Sequence, residues 1–120
     1  MKCRYILGLV ISIAALVQGC ATQPELYYWG SYEQLLYDMY KNPGKATAPE
    51  QIDKLETDIS KATNAQKRVP PGVYAHLGVM YASLGYVEQA ESAFSQEIQL
   101  YPESRVLIEG MMKRAQGGEG

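Results

Sequence analysis

The stretch PGVYAHLGVMYASLGYVEQAESAFSQEIQLYPES, residues 71–104, decides how this 120-residue chain is read. From about Pro71 to Leu84 nothing alternates with the period of a strand, and the run predicts a helix. Gly85 stands where a left-handed residue would end that helix. Tyr86 to Tyr101 predicts a second helix, closed by Pro102, which cannot continue one. The unit is a helix, a tight turn and a helix.

These residues resemble one tetratricopeptide repeat, a helix–turn–helix unit of about 34 residues. Tyr74 stands where the repeat usually has Trp, and Leu77-Gly78 and Tyr81 match its Leu-Gly pair and its tyrosine. Gly85 occupies the turn, Ala90 the small contact position, Phe94 the aromatic after it and Pro102 the closing proline. Glu97 departs from the pattern, which has a small residue there. The resemblance implies antiparallel helices crossing closely at Gly78 and Ala90, with Tyr74, Leu77, Tyr81 and Phe94 between them. A single repeat is not a stable solenoid, so the rest of the chain must cover its faces.

Upstream, Tyr32, Leu35, Leu36, Met39 and Tyr40 fall on one helical face, and Ser31 with Gln34 has the form of a capping box. Asn42-Pro43-Gly44 ends that helix. Thr47 with Glu50 opens the next, whose stripe is Ile52, Leu55, Ile59 and Ala62. The expected product is a degenerate first hairpin, with Leu36 and Tyr40 echoing Leu77 and Tyr81. Downstream, Glu103 to Gln116 predicts a capping helix with Val106, Leu107, Met111 and Ala115 on one side. Gly117 to Gly120 should fray. The expected fold is all-α, antiparallel helical hairpins with a C-terminal cap over residues 31–116, and 71–104 the best repeat.

The N-terminus reads as export machinery. Lys2 and Arg4 precede an uncharged run from Tyr5 to Val17, the length of a signal-peptide h-region and short of a membrane span. A signal anchor is the alternative, because no charge follows until Glu25. Val17-Gln18-Gly19-Cys20 resembles a bacterial lipobox, although Gln18 stands where a small residue is commoner. The resemblance implies cleavage after residue 19 and a lipidated Cys20. Ala21 after the cysteine, in place of Asp, implies sorting to the Gram-negative outer membrane, facing the periplasm. Residues 20–30 then form the lipidated terminus and a tether.

Nearly the full chain also resembles a bacterial lipoprotein family, domain of unknown function 4810. The resemblance rests on the lipobox, on Tyr28-Trp29-Gly30-Ser31-Tyr32, and on Pro70-Pro71-Gly72-Val73-Tyr74-Ala75-His76-Leu77-Gly78 with Tyr101-Pro102-Glu103-Ser104. It implies an envelope role, alongside curli-secretion-channel-like lipoproteins that accompany the family.

Signs of chemistry are few. His76 is the only histidine, without the partners of a triad or a metal site. Asp53, Glu56, Asp58, Glu88 and Glu91 read as solvated-face residues, and no phosphate-cradling glycine motif occurs. Lys67-Arg68 is too small a patch for nucleic acid, and the net charge of −2 agrees. No enzyme and no cofactor beyond the covalent lipid on Cys20 is expected. The first-helix positions Ala75, His76, Val79, Ala82 and Ser83 would line a groove for envelope proteins or peptides. His76 would otherwise be a partly exposed histidine with no special task. Tyr27, Tyr28 and Trp29 are surface aromatics, or else staple the first hairpin to the repeat. The expected function is an outer-membrane lipoprotein serving as an interaction or assembly module. The alternative is a structural lipoprotein that binds peptidoglycan or its synthases.

Overall fold

The computed structural model describes residues 24–116. The expected signal peptide (1–19), Cys20 and the tail 117–120 lie outside them. Five α-helices follow one another: α1 Tyr32–Lys41, α2 Ala48–Asn64, α3 Val73–Ser83, α4 Val87–Leu100 and α5 Arg105–Gln116. A 3-10 turn, Pro102–Ser104, leads into α5. Among the described residues no helix is long and apolar enough to cross a membrane. The chain is all-α.

Residues 71–104 fold as their punctuation demands. Gly85 has φ +79°, its N–H donates to Ala82 O, and the Tyr86 N–H donates to Tyr81 O. These two bonds satisfy the last carbonyls of α3, and three residues suffice to turn the chain into α4. The helices approach most closely at Gly78, where an added Cβ would lie 2.5 Å from the Phe94 ring. Phe94, Ala90 and Ile108 of α5 form one buried cluster. Tyr32, Leu35, Leu55, Val73, Leu77 and Ala93 form the other, and Tyr81 packs against both.

Buried positions recur between α2 and α4. Counted from the N-caps Thr47 and Tyr86, each buried residue of α2 has a buried counterpart in α4 or at its C-cap: Gln51 and Ala90, Leu55 and Phe94, Asp58 and Glu97, Ala62 and Tyr101; Ala93 of α4 has none, since α2 carries the exposed Lys54 there. The two carboxylates do the same work. Asp58 Oδ2 accepts from the Ser31 N–H at 2.7 Å and from its hydroxyl at 2.6 Å. Glu97, 1% exposed, accepts from the Gly72 N–H at 2.7 Å and the Ala75 N–H at 3.3 Å. α2 thus caps α1, and α4 caps α3. The contact at α1 is so close that a Cβ on Gly30 would lie 2.4 Å from Asp58 Cγ.

Several expectations need correction. Ser31 and Gln34 form no capping box, because Asp58 takes over the Ser31 donors. Asp58 is accordingly buried and not on a solvated face. Glu97, the departure from the repeat pattern, is a buried cap. Tyr40 is 85% exposed and does not repeat the packing of Tyr81. In α5, Val106 (82% exposed) and Leu107 face outward; Ile108, 0% exposed, is the residue that reaches Phe94. The Thr47–Glu50 box is present, and the Thr47 N–H and hydroxyl hold the Glu50 carboxyl below its ordinary range.

Part of the segment expected to be a tether, residues 20–30, is docked on the helices. The Arg68 N–H donates to Leu26 O at 3.1 Å and the Tyr28 N–H to Arg68 O at 2.9 Å, so Leu26–Tyr28 lie beside the connector between α2 and α3. The Arg68 guanidinium stands 5.6 Å from the ring centres of both Tyr27 and Tyr101. Tyr101 in turn donates its hydroxyl to Val69 O at 2.5 Å. Burial raises the pKa of this phenol to about 12.

Replacing Phe94 with Ala empties the crossing of α3 and α4, at a cost of about 3–5 kcal/mol. A small domain has roughly 5–15 kcal/mol of stability. Thermal unfolding followed by circular dichroism should therefore show Phe94→Ala largely unfolded or melting far below the wild type.

Candidate functional site: an apolar groove along α1, α3 and α5

Three helices that do not cap others share one concave face. It forms an open groove of about 530 Å³. From α1 come Leu36, Met39 and Tyr40; from α3, Ala75, Val79 and Met80; from α5, Leu107, Met111 and Arg114. Tyr32, Gly72 and His76 complete the lining. The spacing explains the grouping: 36 and 40, 75 and 79, and 107, 111 and 114 each follow a helical repeat along one face. Arg114 is the one charged residue that lines it among the described residues. The lining is otherwise apolar apart from His76 and the tyrosine hydroxyls. Thioethers from three helices give it adaptable walls.

Of the expected groove residues, Ala75, His76 and Val79 line it. Ala82 does not; it packs toward the Phe94 cluster. Ser83 is exposed and donates its hydroxyl to Met80 O at 2.7 Å. The walls from α1 and α5 were not read from the sequence. Their signal is there in part, as Leu107 and Met111 share the stripe read for the last helix.

His76 is buried rather than partly exposed. Its Nε2 lies 2.8 Å from Gln51 Oε1, and the Gln51 amide donates to Ala46 O at 3.0 Å. The Tyr32 ring meets the imidazole edge to face, 6.0 Å between centres. The equivalent position of α1 is Leu35, so an imidazole stands in α3 where α1 has a hydrocarbon. Burial holds the imidazole pKa below its ordinary 6.5. Neutral His76 donating through Nε2 satisfies Gln51, and a charged one would have to be desolvated.

A second, more polar cleft of about 420 Å³ lies among α2, α3 and α4. Tyr74, Tyr81, Gln89 and Gln96 line it together with Glu56 and Glu88. The Tyr81 hydroxyl donates to the Glu56 carboxylate, which raises the phenol pKa to about 12. Among the described residues no group of three His, Cys, Asp or Glu side chains is placed to hold a metal ion.

Of the three aromatics before α1, Tyr27 and Tyr28 are half-buried and Trp29 is the most exposed. Tyr27 meets Trp29 edge to face at 5.9 Å, besides its contact with Arg68. Tyr27 therefore serves as a staple, and Trp29 keeps the surface position.

Because the folded protein resists protonating His76, an unfolded chain takes up that proton first as the pH falls below about 6.5. This part of the stability is complete above that pH and declines below it. His76→Gln, which keeps a hydrogen-bonding group without titrating there, should flatten the fall of melting temperature in mildly acidic buffer relative to the wild type.

Searches of curated proteins and of solved structures each return no match. A family model described as Domain of unknown function (DUF4810) matches residues 26–111, which spans the docked N-terminal segment through the groove-lining part of α5. The chain belongs to that family.

Proposed function

We propose that this chain is a lipid-anchored interaction module of the bacterial envelope that receives an apolar segment of a partner protein in the groove along α1, α3 and α5. The groove of about 530 Å³ carries the reading: it is apolar, open to solvent-exposed residues such as Tyr40 and Leu107, and built from rigid helices. Tetratricopeptide-like hairpins suit this role, and the matched burial of α2 and α4 supports reading both pairs as versions of one unit. In α5 the polar residues Glu109 and Lys113 stand where α3 has Leu77 and Tyr81, counted from Ser104 and Gly72, which suits a cap that ends the stack.

The anchor rests on the lipobox at Cys20. Acyl chains contribute about 0.8 kcal/mol for each buried methylene, so two or more hold a protein stably at a bilayer. Anchoring in the outer membrane, periplasm-facing, brings the groove to partners in the same membrane, where a modest affinity gains from a raised local concentration. Curli-secretion-channel-like lipoproteins are candidates of that kind. The proposal includes no catalytic step and no cofactor beyond the lipid. The second reading, a structural role on peptidoglycan or its synthases, draws on the tyrosines and amides of the polar cleft, which suit sugar and amine groups.

Cys20→Ala should abolish incorporation of labelled palmitate and leave the precursor uncleaved; undiminished labelling would end the anchor proposal. Val79→Glu puts a charge on the groove floor and should remove crosslinked envelope partners while the far-ultraviolet spectrum stays that of the wild type. Partners retained by that variant, together with its retention on purified sacculi, would favour the second reading.

A further inference from the structure

Three of the groove's lining residues are methionines, one from each helix: Met39, Met80 and Met111. Met39 is 44% exposed, and Met80 and Met111 are partly exposed. They are the groove's most chemically alterable groups, since its remaining lining is aliphatic, aromatic or one guanidinium with His76 below. We propose that these thioethers are a modification site: peroxide-class oxidants convert them to sulfoxides and so close the groove to apolar ligands. The inference rests on the groove being the binding surface.

The chemistry is self-contained. A sulfur lone pair attacks one oxygen of hydrogen peroxide, an S–O bond forms and the O–O bond breaks. The departing hydroxide takes up the proton left on the transferred oxygen and leaves as water. Sulfur loses two electrons and the peroxide gains them. The product replaces a polarizable apolar group with a strong hydrogen-bond acceptor, which an apolar partner would leave unsatisfied. Of the two buried clusters, the one around Leu35 and Leu55 has no methionine in it or packed against it, whereas Met111 and Met112 pack against the one around Phe94 and Ile108. Oxidation at Met39 and Met80 therefore alters the groove before it reaches the core.

The test uses the full chain purified in mild detergent, with anilinonaphthalene sulfonate as the apolar probe and graded hydrogen peroxide. Peptide mass spectrometry should find one added oxygen on each of Met39, Met80 and Met111 while the helical signal persists, with dye fluorescence lost in step. The two methionine sulfoxide reductases together, one for each sulfoxide epimer and supplied with a dithiol, should restore it. The variant Met39→Leu/Met80→Leu/Met111→Leu should bind dye and keep binding it after peroxide. Loss of dye to the same extent in that variant, or sulfoxides formed only after helicity collapses, would overturn the proposal. Dye that never binds the untreated protein, or binds Val79→Glu equally well, would instead remove the groove reading on which it stands.

Discussion

A buried carboxylate in a small helical protein is costly unless its charge is met, and here two are met in the same way. Asp58 and Glu97 each sit eleven residues after the N-cap of a second helix and aim at the N-terminus of the helix before it. That end of a helix carries unsatisfied N–H groups and the positive pole of its dipole. Bonds of this charge-assisted kind contribute about 1.5–3 kcal/mol each. They also fix geometry. A hairpin whose helices slid by one turn would lose both donors and leave a charge stranded in the core, so the carboxylates set the register in which Gly78 meets Phe94 and Ile108 closes on Ala90.

The register in turn makes the groove. With α2 and α4 holding the caps, α1, α3 and α5 are left with faces that no other helix covers, and these carry Leu36, Val79 and Met111. His76, held from behind by Gln51 of α2, departs from the otherwise hydrocarbon pattern at the floor of that face. Such a departure fits a position kept for more than packing, because a leucine there would satisfy the core as Leu35 does.

Much of this was legible in the sequence, and what was not has a physical reason. Local signals are legible: Gly85 and Pro102 punctuate α3 and α4, and Thr47 with Glu50 starts α2. Long-range ones are not. Ser31 looked like the start of a capping box because its true partner lies 27 residues away. Glu97 looked like a flaw in a repeat because sequence spacing does not reveal which N–H groups a side chain will meet. In α5, Val106 and Ile108 are equally apolar, and only the position of Phe94 decides which is buried. The groove was half seen for the same reason: the residues of α3 follow from one helix, while its walls depend on where α1 and α5 come to lie.

The docking of Leu26–Tyr28 against Arg68 also sets a distance. With the chain fixed from Leu26 onward, a lipid on Cys20 would leave five residues, Ala21–Glu25, between bilayer and folded protein. At most about 3.5 Å per residue, that leash reaches roughly 20 Å whatever its conformation. The helical body would then sweep a thin shell over the lipid headgroups, searching in two dimensions rather than three. A partner segment would have to present itself within that shell, and the leash length itself would then help to determine what the groove can meet.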